Sequence, residues 1–125
     1  MKKILRRLFP SPEMIAFHKM RRRHRKELLA LAKETGEWDY GWLHEMVMMQ
    51  IRHMHEYYSA GNNVWQSDET RQPIIEELKY ILDLDDKLDR TYDKDTDYVT
   101  VEKKRQELYE ELYTSIGKNL RGWWD

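Results

Sequence analysis

The most concentrated chemistry in the chain is the run HKMRRRHRK over residues 18–26. At 100° per residue, Lys19, Arg22, Arg23, Lys26 and Lys33 fall on one helix face. Phe17, Met20, His24, Leu28 and Leu31 form an apolar stripe on the other. A cationic face of this kind neutralises phosphates and binds nucleic acid in a salt-dependent way. No zinc finger, RNA-recognition signature or helix-turn-helix accompanies it, so a solvated face, or one docked on the chain's own acidic part, is the competing reading. His24, on the stripe, is expected to be a satisfied core histidine rather than a pH switch.

A second group is His44, Glu45, His53 and His55. A helical metal site needs ligands at i and i+3 or i+4. His44 and His55 share a face but lie about 16 Å apart along a helix axis, and His53 points elsewhere, so no metal site is expected within this helix. Asp93, Asp95 and Asp97 resemble the opening of a calcium-binding EF-hand loop. The match fails at Tyr98, where the loop needs glycine, and at Lys104, where a bidentate glutamate should close the cage. An acidic helix-terminal loop is expected instead. No phosphate-cradling glycine loop or nucleophile elbow is present, and acid pairs such as Asp85 and Asp89 are common in a chain with 23 Asp and Glu. The expectation is a protein with no catalytic residues, no metal and no cofactor.

Two charges sit on apolar stripes: Asp85 and Arg105. A lone desolvated charge costs several kcal/mol, so each needs a partner or an opening. They are expected to form a partly buried pair with each other, or Asp85 with Arg52; a polar pocket for a small nucleotide is the functional alternative. The tail LRGWWD brings Trp123 and Trp124 together, either as core closure or as an interface anchor.

The elements that position these groups are helices. Ser11-Pro12-Glu13 reads as N-cap, first helical residue and a stabilising acid, starting a helix that runs to about Thr35 before Gly36. Asp39 caps a second, over about 40–59, with a stripe of Leu43, Met46, Val47, Ile51, Met54, Tyr57 and Tyr58. Ser67 opens a third, to about Tyr92, with Ile74, Leu78, Ile81, Leu82 and Leu88; Pro73 is expected to kink it or to split off its first turn. A fourth covers about 98–120 with Val101, Leu108, Leu112, Ile116 and Leu120. Only 5 glycines and 3 prolines in 125 residues argue against a turn-rich β fold. The expected fold is all-α: a four-helix antiparallel bundle over residues 11–125 as a single domain, behind a basic N-terminal arm, 1–10. In that arm Met1, Leu5, Leu8 and Phe9 alternate with basic residues, but the segment is too short to anchor a membrane alone and is expected to pack on the body or on a second copy.

Charged residues make up 36% and the mean hydropathy is −0.95, and no run approaches the roughly 18 apolar residues of a membrane span, so no stable membrane insertion is expected. The N-terminus lacks a signal-peptide apolar run, and there are 0 cysteines, which fits a cytoplasmic compartment. The net charge of −1 conceals an asymmetry: the first 35 residues carry a net +8 and the remainder a net −9. The aromatic surplus is compatible with a homo-oligomer, though no heptad fixes its order.

Residues 43–58 (LHEMVMMQIRHMHEYY), the leucine-rich third helix and the closing IGKNLRGWWD resemble a diffuse group of small phage-encoded helical proteins ending in a WWD tail. The resemblance covers about residues 38–125 and leaves the basic helix outside. It implies a phage accessory protein in a host bacterial cytoplasm, with no functional residue to carry over. The leading expectation is a non-enzymatic binding protein that blocks or recruits a host or phage protein, including anti-defence roles. Its surface would be acidic and aromatic: Asp83, Asp86, Asp89, Asp93, Trp123 and Trp124. The alternatives are a nucleic-acid-associated protein using the basic helix and a protein that sequesters a small signalling nucleotide.

Overall fold

The computed structural model describes residues 11–34, 40–60, 67–91 and 97–123. They are all-α: α1 (Pro12–Glu34), α2 (Tyr40–Ser59), α3 (Asp68–Arg90) and α4 (Tyr98–Asn119), the last followed by a 3-10 turn, Leu120–Trp123. No strand occurs among the described residues. The four helices and their order are those the sequence pattern predicts, with boundaries within two residues.

Local chemistry accounts for the ends. Ser11 caps α1, its Oγ accepting from the Met14 amide at 3.3 Å, so one of the free N–H groups of the first turn is satisfied. Asp97 precedes α4 without capping an amide; its carboxylate instead accepts from the Thr100 hydroxyl at 3.2 Å. Pro73 does not detach the first turn of α3: the helix is continuous from Asp68 to Arg90. A proline this close to a helix start removes one bond, to the carbonyl of Glu69, and both residues are exposed so that water can replace it.

The chain divides into two compact units, Met1–Ser67 and Asp68–Asp125. In the first, α1 and α2 pack together. Phe17 faces Tyr57 while Glu27 faces His53, so residue numbers rise along one helix as they fall along the other: the pair is antiparallel. Met20 and Leu31 of α1 are buried with Met48, Ile51 and Tyr58 of α2. The predicted stripe of α2 is rotated from the observed one. Leu43 is 59% exposed, whereas Met48 and His53 lie inside. In the second unit, Thr91 meets Arg105 and Glu77 meets Trp123, again antiparallel. Ile74, Leu78, Ile81, Leu84 and Leu88 of α3 close over Leu112 and Trp123. Each such apolar side chain contributes roughly 1.5–3 kcal/mol on burial.

Candidate anion-binding face

The face of α1 turned away from its stripe is a cationic surface. Lys19, Arg22, Arg23, Lys26 and Lys33 are all exposed, as the helical spacing requires. Among the described residues no carboxylate pairs with Lys19, Arg22, Arg25, Lys26 or Lys33. A shallow groove of about 410 Å³ runs along this helix, lined by Ile15, His18, Arg21, Arg22 and Arg25. His18, Arg21, Arg22 and Arg25 follow i, i+3, i+4, i+7 and so lie along one strip of the helix. Arg21 is braced over the Phe17 ring, 5.6 Å from its centroid. Exposed Met14, Ile15 and Leu29 interleave with these cations. Sequence reasoning selected the neighbouring strip and passed over His18, Arg21 and Arg25, although the same i, i+3, i+4, i+7 count identifies them.

Arg23 differs from the other four. Its guanidinium bonds Glu27, at 3.3 Å, and Glu56 of α2. These carboxylates belong to a cross-helix clasp. His24 Nε2 lies 2.7 Å from Glu56 Oε2, and His53 Nε2 lies 2.6 Å from Glu27 Oε2. The two imidazoles stack with centroids 3.8 Å apart and planes 6° from parallel. Each helix thus supplies one His-x-x-Glu unit, and the antiparallel pairing crosses them. His53 is 7% exposed and its Nδ1 has no hydrogen-bond partner among the described residues. With Nε2 donating to Glu27, a bare Nδ1 costs less than a buried, unpaired N–H would. Burial accordingly holds His53 below the usual imidazole value, against the pull of Glu27. The hydrogen bond from His53 holds Glu27 below the usual carboxylate range, and that from His24 does the same for Glu56. Glu56 in turn raises Arg23. His24 is therefore satisfied, as expected on its stripe, and His53, which the predicted stripe of α2 leaves out, faces the helix seam.

Among the described residues no group of three or more His, Asp or Glu is arranged to hold a metal ion. In the clasp both carboxylates are already shared between an imidazole and Arg23.

The acidic and aromatic set separates. Asp83, Asp86 and Asp89 are exposed on α3, but Asp86 pairs with Arg90 at 2.5 Å. Trp123 is fully buried and its indole N–H donates to Glu77 Oε2 at 2.8 Å. The expectation of Trp123 as a partner-binding side chain is corrected: the 3-10 turn after α4 folds the ring inward, where it fills the core between α3 and α4. Asp93 and Trp124 lie outside the described residues, as do the basic arm 1–10 and the acids Asp95 and Glu37.

Arg105 is 6% exposed on α4, and Asp85 is half-buried on α3. Arg105 reaches the Thr91 hydroxyl at 3.4 Å and Glu102 at 3.8 Å. Asp85 lies near Tyr113, whose phenol is raised by burial first and then by neighbouring charge. A groove of about 460 Å³ in this unit is lined by Pro73, Glu76, Glu77, Tyr80, Ser115, Lys118 and Asn119, and neither Asp85 nor Arg105 lines it. No described helix is long and apolar enough to cross a membrane.

No protein-family model, curated protein or solved structure matches the chain.

Proposed function

We propose that the protein binds a polyanion, nucleic acid by preference, along the outer face of α1, without catalysis. The observation that carries this is the set of exposed α1 cations with no carboxylate partner among the described residues: Lys19, Arg22, Arg25, Lys26 and Lys33. A protein that uses its lysines and arginines to hold itself together pairs them. On this face, among the described residues, Arg23 is the cation so used. From Lys19 to Lys33 the helix runs about 21 Å, long enough to lie along several phosphates of one strand. Contacts from these cations to phosphates position the nucleic acid and carry no sequence information, so the binding proposed is of the backbone.

The acidic-surface reading, by contrast, retains Asp83 and Asp89 as exposed groups without an ion pair among the described residues, because Asp86 is paired and Trp123 is buried. Charge reversal separates the two. Arg22→Glu with Lys26→Glu should weaken nucleic-acid binding for every sequence tested and flatten its salt dependence by about one unit per lost contact. Asp83→Lys with Asp89→Lys should leave that binding intact. The opposite pattern would return the working surface to α3.

A further inference from the structure

The stacked histidines share their two carboxylates with Arg23, the cation of the α1 face that is paired among the described residues. The clasp holds Arg23, Glu27 and His24 from α1 and His53 and Glu56 from α2. With both imidazoles neutral, two carboxylates face one guanidinium and the cluster is net −1. One proton on the imidazole pair makes it neutral, and two make it +1. Each proton also replaces, at a carboxylate, part of the charge that Arg23 now supplies. Two imidazolium rings cannot remain 3.8 Å apart and parallel without strong repulsion, so full protonation must slide the rings and loosen the grip on Arg23. Arg23 is 49% exposed by side chain and sits on the same helix as the unpaired cations, so the released guanidinium can reach a phosphate bound there.

We propose that this clasp tunes the α1 face: proton uptake by the His24–His53 stack passes Arg23 from Glu27 and Glu56 to bound phosphate, and polyanion binding strengthens as the medium turns acidic. The proposal rests on the reading of α1 as a polyanion-binding face and adds its regulation. His18 lies on the same face and is exposed, so it is replaced in the test.

The experiment uses the full chain carrying His18→Asn and a fluorescein-labelled duplex of mixed sequence, titrated across 50–200 mM salt at pH 7.5 and pH 5.5. One added phosphate contact steepens the slope of log K against log salt by about 0.9. That steepening is expected at pH 5.5 in the His18→Asn protein and should vanish when Arg23→Gln is added; Arg23 is exposed, so this variant keeps the fold. Equal slopes at the two pH values, or steepening that survives Arg23→Gln, would overturn the proposal while leaving the polyanion reading standing. Absence of duplex binding at both pH values would remove both. Circular dichroism should show the same helix content at pH 7.5 and 5.5; loss of helix at pH 5.5 would also overturn the proposal, since the clasp would then only hold the hairpin together.

Discussion

Replacing Trp123 with alanine should remove a large part of the stability of the second unit. The ring is fully buried, and its N–H donates to Glu77 Oε2 at 2.8 Å. Truncating a buried tryptophan to alanine costs about 3–5 kcal/mol, combining lost transfer energy with the cavity left behind. Domains are stable by only about 5–15 kcal/mol, so this is a large share. The hydrogen bond can be separated from the packing. Trp123→Phe retains most of the apolar ring and deletes the donor, and because Glu77 is half-buried and open to water, the loss should be near 1 kcal/mol. A cycle of Trp123→Phe with Glu77→Ala should show a coupling of about 1 kcal/mol. The assay is urea unfolding of the full chain followed by circular dichroism, since five tryptophans make fluorescence ambiguous. A Trp123→Ala protein within about 1 kcal/mol of the parent would refute the placement of the ring and restore it as a surface anchor.

Three further outcomes follow from the same geometry. Stability of the α1–α2 hairpin should fall as pH drops below about 6.5, because buried His53, held low, must be charged in the unfolded chain; a second loss follows below about 4.5 as Glu27 and Glu56, also held low, are protonated. Thermal melts from pH 8 to 4 check this, and His53→Gln should abolish the upper part of the loss. Asp85→Asn combined with Arg105→Gln should lower the melting temperature by several degrees, since each kcal/mol lost corresponds to roughly 4–8 °C for a unit of this size; an unchanged melt would mean that neither charge is structurally paired. Leu78→Ala, at a site with 0% exposure, should cost about 2–5 kcal/mol in urea unfolding, whereas Leu43→Ala, 59% exposed, should be close to neutral.

The helices were legible because their signals are local. The Ser11 cap, the stripe of Met20, His24 and Leu31, and the run through Ile74, Leu78, Ile81 and Leu88 depend only on spacing along one helix. The cationic face of α1 was legible for the same reason. What spacing does not carry is the rotation of one helix against its neighbour. His53 and Met48 were missed as buried residues because α2 has apolar side chains on several faces, and the partner helix decides which face is covered. The clasp escaped for that reason too, although its signal was present as two His-x-x-Glu units, His24 with Glu27 and His53 with Glu56. Arg23 reads as one phosphate ligand among five until Glu56 is brought across from α2. Trp123 was undecided between core and interface because a 3-10 turn after the last helix sets the ring's direction, and nothing in LRGWWD announces it.

The central claim is that α1 presents unpaired cations to a polyanion. Its most direct test is the anisotropy of a labelled mixed-sequence duplex titrated with the 125-residue chain at pH 7.5 over 50–200 mM salt. About four simultaneous phosphate contacts predict a log–log slope near −3.6. A slope close to zero, or no binding at 50 mM salt, would contradict the account.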